Sequence, residues 1–126
     1  MDFNLARPIY QQIIDDFKKK MIRGELCKGD RIASQREYAE KARINPNTVQ
    51  RAYREMESMK MVETLRGQGT YVNISEVDLQ MLRTEMARGL LEHFVLEMRS
   101  LGFDDSETIK MLQEEQVRER EVEDCD

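Results

Sequence analysis

Asn45, Asn47, Thr48, Gln50, Arg51 and Arg54 fall within ten residues of one another, in the stretch RINPNTVQRAYREMES at positions 43–58. Side chains of these types carry the donors and acceptors that read nucleic acid. Asn and Gln can pair with the edge of adenine and Arg with that of guanine, while the Thr methyl can meet a thymine methyl. Val49, Ala52, Tyr53, Met56 and Met59 recur at steps of three and four, the spacing of one apolar helix face. Asn47, Thr48, Gln50, Arg51 and Arg54 point the other way. The first turn holds Asn45, Pro46, Asn47 and Thr48, none of them strong helix formers. Asn45 is a natural cap and Pro46 suits the first helical position. Such a turn fits a helix that enters a major groove N-terminus first, where bulky apolar groups would clash and exposed N–H groups favour a phosphate. A solvated helix face with Asn45 as a mere cap would carry the same residues, so the neighbouring elements must decide.

Those neighbours have recognisable patterns. Pro8 opens a helix on which Ile9, Ile13, Ile14, Phe17, Met21 and Ile22 recur at helical spacing. Lys18, Lys19 and Lys20 lie near its C-terminus, favoured by the dipole and read as a solvated end, and Gly24 can stop it. The stretch GELCKGDRI is then a turn. Ser34 and Glu37 form a capping box that opens a short helix through about Ala42, with Tyr38 and Ala39 inward. After Lys60 the pattern turns β-prone on both sides of Gly67, Gln68 and Gly69, which predicts a β-hairpin. Two short helices joined by a tight turn, with a helix before and a hairpin after, make a winged helix-turn-helix. Tyr10, Tyr38 and Tyr53 sit on apolar faces and read as core rather than as base-stacking residues.

The chain of 126 residues is long enough for one small domain and an appendage. Its net charge of -5 hides an asymmetry: residues 1–74 carry 14 Lys+Arg against 10 Asp+Glu, and residues 75–126 carry 6 against 15. A basic front and an acidic back suggest two modules with different partners, and binding to DNA needs only a local basic face. No apolar run approaches the roughly 18 residues of a membrane span, and the N-terminus lacks the features of a signal peptide, so a cytoplasmic setting is expected. Cys27 and Cys125 lie far apart with no Cys/His cluster; reduced thiols are the simplest reading and a disulfide between them is disfavoured. His93 is the single histidine, and no metal site, acid/base pair or phosphate loop is expected. No cofactor and no enzymatic activity follow from such a set.

The span of residues 8–72 resembles the DNA-binding domain of GntR-type bacterial transcription regulators. The pieces that carry the likeness come in order: PIYQQI, G-x-L-x-x-G-D, S-x-R-x-x-A, N-T-V-x-R-A-Y and GQGTYV. The short length, the wording NPNTVQRAYREME and an acidic two-helix tail resemble the YtrA-like subfamily. The resemblance implies that Arg36, in the helix opened by Ser34, contacts DNA. It places Asn47, Thr48, Gln50 and Arg51 on the recognition helix, and Gly67, Gln68 and Gly69 at a wing tip that enters the minor groove. Arg66, beside the wing, can reach a phosphate or simply decorate the strand. Ala33 stands where the family usually has proline. Pro46 and Gln50 replace basic residues of other branches, so base preferences of those branches do not transfer.

Ser75 and Asp78 form a second capping box, ahead of a long helix striped by Leu79, Leu82, Met86, Leu90, Phe94, Met98 and Leu101. Gly102 stops it. Asp104, Asp105 or Ser106 caps a last helix carrying Ile109, Met111, Leu112 and Val117, and the charged end EEQVREREVEDCD is expected to fray. One short helix cannot bury so long a stripe. A second copy can, and the resemblance implies a helical dimerisation module; packing back on the winged domain is the alternative. The expected fold is mainly α with a small β-hairpin: a winged helix-turn-helix over residues 1–74, then a two-helix dimerisation tail over residues 75–126. The expected function is a homodimeric regulator, a repressor, binding double-stranded DNA at a palindromic operator, with a transporter operon as the target the subfamily implies. A small-molecule effector would have room only at the dimer interface or between tail and winged domain. The competing reading is a winged-helix adaptor that binds protein without specific DNA binding; Arg36, Arg51 and Arg54 speak against it.

Overall fold

A computed structural model describes residues 6–124; Cys125, and with it the Cys27–Cys125 pairing considered above, lies outside the described residues. The elements run α1 (Ile9–Ile22), β1 (Arg31–Ile32), α2 (Gln35–Ala42), α3 (Pro46–Ser58), β2 (Val62–Leu65), β3 (Gly69–Val72), α4 (Glu76–Ser100) and α5 (Asp105–Asp124). They fall into two compact units, Met1–Arg83 and Thr84–Asp126. The first extends past the division at 74/75 suggested by composition, into the opening turns of α4.

In the first unit, α1 and α2 both pack against α3. From α3, Val49, Ala52, Tyr53 and Met56 are buried, and they meet Ile13, Ile14, Phe17 and Met21 of α1 and Ala39 of α2. Burying each large apolar side chain contributes roughly 1.5–3 kcal/mol. The rings of Phe17, Tyr38 and Tyr53 gather with centroids 5.6 to 6.2 Å apart. Tyr53 completes its burial by donating its hydroxyl proton to the Ala33 carbonyl oxygen at 2.6 Å, which ties α3 to the start of α2. Leu79 and Leu82, which the helical spacing groups with the self-association stripe, pack against this same core.

The turns follow local chemistry. Ser34 Oγ accepts the Glu37 N–H at 3.1 Å, and Asn45 Oδ1 accepts the Asn47 N–H at 2.8 Å with Pro46 next in the chain. Between these two helices Arg43 takes the left-handed conformation (φ 56°), and the Ile44 N–H closes on the Ala39 carbonyl at 3.1 Å. That closure is the helix-ending motif usually given to glycine; here it makes the tight turn of the helix-turn-helix.

The expected hairpin is one part of a larger sheet. β3 is the centre of three antiparallel strands in the order β1-β3-β2, with Arg31 opposite Tyr71 and Thr64 opposite Thr70. The residues around Gly29 and Asp30, read from sequence as a turn alone, continue into β1. The Gly29 N–H donates to the Val72 carbonyl at 2.9 Å, and the Val72 N–H to that of Asp30 at 2.8 Å. Two residues of strand are too few to show an alternating pattern, and tertiary pairing makes this strand.

In the second unit, α4 is followed by a turn at Gly102 (φ 88°), where the Phe103 N–H reaches back to the Met98 carbonyl at 3.2 Å. Asp104 is the cap of α5: its carboxylate accepts the Glu107 N–H at 2.8 Å, and the Glu107 carboxylate accepts the Asp104 N–H at 3.3 Å. Arg99 grips Asp105 with two hydrogen bonds of 3.1 and 3.0 Å, and these hold the Asp105 carboxyl below the usual carboxylate range. α5 stays helical to Asp124, through most of the stretch expected to fray; residues 125–126 lie outside the described residues. Its Glu, Gln and Arg residues are strong helix formers, and Arg118 pairs with Glu115 one turn away at 2.8 Å. No described helix is long and apolar enough to cross a membrane.

Candidate nucleic-acid interface

The N-terminal ends of α2 and α3 meet at a cleft of about 440 Å³ lined by Gln35, Arg36, Ala39, Glu40, Ile44, Pro46, Asn47 and Gln50. Three residues proposed from sequence, Arg36, Asn47 and Gln50, therefore border one concavity. The tight turn at Arg43 brings them there, together with the caps at Ser34 and Asn45. Asn47 also borders a second, shallower cleft between α3 and the start of α1, shared with Pro8, Ile9, Tyr10, Thr48 and Arg51. Thr48 is half-buried; Gln50, Arg51 and Arg54 are exposed. Asn45 serves as cap, so its side-chain oxygen is already engaged by α3. The Ser34 hydroxyl is likewise an acceptor within α2 and keeps its own proton to donate.

The arginines are held loosely. Arg36 is 90% exposed, and its Nε lies 3.4 Å from Glu40. Arg51 Nε stands 3.7 Å from Glu55. Exposed pairs of this kind contribute roughly 0–1 kcal/mol and weaken with salt, so a phosphate or a guanine edge can take over the guanidinium at small cost. Arg51 has a second neighbour: its guanidinium carbon lies 3.8 Å from the centre of the Tyr10 ring. Arg-to-Glu spacing of four residues is visible in the sequence; the Tyr10 stack joins α1 to α3 and has no local signal. Tyr10 is accordingly part surface platform and part core, whereas Tyr38 and Tyr53 belong to the aromatic cluster.

The wing is the turn between β2 and β3. Arg66, Gly67 and Gln68 are exposed there, and the Gln68 N–H closes on the Leu65 carbonyl at 2.9 Å. Gly67 and Gly69 have φ of 77° and 113°, values that disfavour any side chain. The Tyr71 hydroxyl donates to the Gln68 carbonyl at 3.0 Å and braces the tip. Sequence reasoning passed over Arg31, which lies across Gly69 from β1 and adds a cation beside the wing. It could be found only once β1 was known to pair with β3.

On the tail, Leu90 and Leu101 are 71% and 72% exposed, and Phe94, Ile109 and Leu112 are exposed as well. Met86 and Met98 are half-buried.

The model of the family described as "Bacterial regulatory proteins, gntR family" matches residues 9–72. The uncharacterized HTH-type transcriptional regulator YhcF of Bacillus subtilis is 41% identical over 86% of this chain and 89% of its own length. The HTH-type transcriptional repressor YtrA of the same organism is 44% identical over 58% of this chain, which spans only 56% of that protein. A solved GntR family transcriptional regulator from Listeria monocytogenes superposes with a TM-score of 0.80 at 34% identity, covering 89% of this chain and 98% of that one. Winged helix-turn-helix and helical tail thus agree with sequence likeness, and the chain belongs to the gntR family of bacterial regulatory proteins, transcription regulators that bind DNA and are not enzymes.

Proposed function

We propose that the protein is a homodimeric repressor that binds a two-fold operator and blocks a promoter. The observation that carries this reading is the gathering of Arg36, Asn47 and Gln50 around one cleft at the N-terminus of α3. An α-helix that presents Asn, Gln and Arg at its N-terminal end is equipped for base edges in a major groove. In this reading Ser34, Arg36, Asn45, Asn47, Thr48, Gln50, Arg51 and Arg54 face the major groove and its flanking phosphates. Arg66, Gly67, Gln68 and Gly69 enter the adjoining minor groove. Residues 1–74 form the DNA-binding part, and the tail joins two copies.

Leu90 and Phe94 of α4, Leu101 just after it, and Ile109 and Leu112 of α5 support the second half of the proposal. Their exposure leaves an apolar surface that water disfavours, at roughly 25 cal/mol per Å². Leu79 and Leu82 are partly buried against the core of the first unit, and in this reading the more exposed part of the joining face lies beyond them, from about Met86. Repression is the sense suggested by the name of the YtrA relative, and a neighbouring transporter operon is the target suggested by the YtrA-like resemblance.

Selection of bound duplexes from a random library, combined with sedimentation equilibrium, tests the proposal. Enrichment of a palindrome by a protein of twice the chain mass supports it. A monomer that enriches no sequence overturns it.

A further inference from the structure

Arg51 is the one arginine of the recognition helix seated on an aromatic ring. Its guanidinium carbon lies 3.8 Å from the centre of the Tyr10 ring, and its Nε faces Glu55 at 3.7 Å. Tyr10 itself is fixed: it is half-buried and packs against the core of the first unit. Its hydroxyl accepts a hydrogen bond from Gln11 at 3.2 Å. The Arg51 side chain nevertheless stays 62% exposed, so the stack covers a face of the guanidinium and leaves donors open. A free arginine surrenders most of its rotamer freedom when it makes a two-pronged contact with guanine; one already stacked and paired surrenders less.

We propose that Tyr10, from outside the helix-turn-helix, is a positioning residue for sequence readout by Arg51. The ring sets where the guanidinium sits. The same ring borders the cleft shared by Asn47, Thr48 and Arg51, so α1 is part of the recognition surface without donating to DNA. This rests on the reading of Arg51 as a DNA contact, and its test must separate the two.

The experiment is a double-mutant cycle on the full-length chain, using the palindrome selected by the wild type and a copy altered at the base pair whose preference Arg51→Ala abolishes. Tyr10→Leu keeps apolar bulk and removes the ring; Tyr10→Phe keeps the ring. Thermal unfolding of each variant confirms the fold. Tyr10→Leu is expected to weaken binding about two- to fivefold and to shrink discrimination at that base pair. It should do nothing further in the Arg51→Ala background, and Tyr10→Phe should behave as wild type. Equal losses from Tyr10→Leu with and without Arg51 would overturn the proposal while leaving Arg51 as a contact. An Arg51→Ala variant that loses its preference at no base pair of the palindrome would overturn both.

Discussion

The guanidinium of Arg31 lies across Gly69: a Cβ on Gly69 would stand 2.8 Å from Arg31 Nε. That approach, from the short first strand to the base of the wing, leaves no room for a Cβ unless the Arg31 side chain moves. Gly69 also has φ of 113°, a region that other residues enter at a cost of about 1–3 kcal/mol. Gly69→Ala should therefore lower stability by roughly that amount and distort the wing, although Arg31 itself can swing aside. Urea denaturation reads the first effect and operator affinity the second. An unchanged midpoint would show that the wing adapts without strain.

The cap of the recognition helix should be worth measuring alone. Asn45 Oδ1 accepts the Asn47 N–H at 2.8 Å. Asn45→Ala leaves that donor unmet and is expected to cost about 0.5–2 kcal/mol. Asn45→Asp, which keeps the acceptor, should retain most of the stability. Equal losses in both variants would deny the cap its role.

Tyr53 gives the protein a pH dependence at the alkaline end. Burial, then the nearby Tyr38 and Glu37, push its hydroxyl well above the ordinary tyrosine range. Tyr38 is raised as well, by burial and by Asp16. A group whose folded pKa exceeds its unfolded value binds its proton more tightly in the fold. Its stabilising effect is complete below about pH 10 and is lost as pH rises beyond that. Stability should thus fall above about pH 10. Tyr53→Phe should flatten this decline and, by removing the bond to Ala33, cost about 0.5–1.5 kcal/mol at neutral pH. Tyrosinate absorbance followed through unfolding checks the sign; early ionisation of Tyr53 in the folded chain would contradict it.

The helix-turn-helix was legible because its signals are local. Ser34, Asn45 and Pro46 mark helix starts, and Val49, Ala52, Tyr53 and Met56 mark the buried face; the structure places these caps and this face where the spacing puts them. What the sequence withheld depends on partners distant in the chain. β1 exists because Asp30, Arg31 and Ile32 pair with β3 some forty residues later, and Arg31 beside Gly69 follows from that register. The Tyr10 platform under Arg51 is of the same kind. The helical spacing of Leu79 and Leu82 is the same as that of Leu90 and Phe94, yet the first two meet the core of their own unit and the latter two are exposed. Period alone does not distinguish an apolar residue that packs within the chain from one left for a partner.

The exposed stripe makes a separable prediction. Leu90→Glu, or Leu90→Glu with Phe94→Ala, should convert a dimer to monomers while the unfolding of the first unit, Met1–Arg83, is unaffected. Sedimentation equilibrium reads the mass. Half-site binding should survive and binding to the full palindrome should weaken by at least about tenfold, since two linked contacts become independent. A variant that remains dimeric would place the joining face elsewhere.

The central claim is that the N-terminal end of α3 reads DNA. Its most direct test is fluorescence anisotropy of the chain on the promoter of its own operon, at two salt concentrations, with Arg36→Ala and Arg51→Ala alongside. Wild type should bind a short palindrome far more tightly than a random duplex and lose affinity as salt rises. The loss of a phosphate contact should reduce the salt slope by about one, and the loss of a base contact should cost about 1–3 kcal/mol of discrimination. Equal binding to both duplexes by the wild type and both variants would contradict the account.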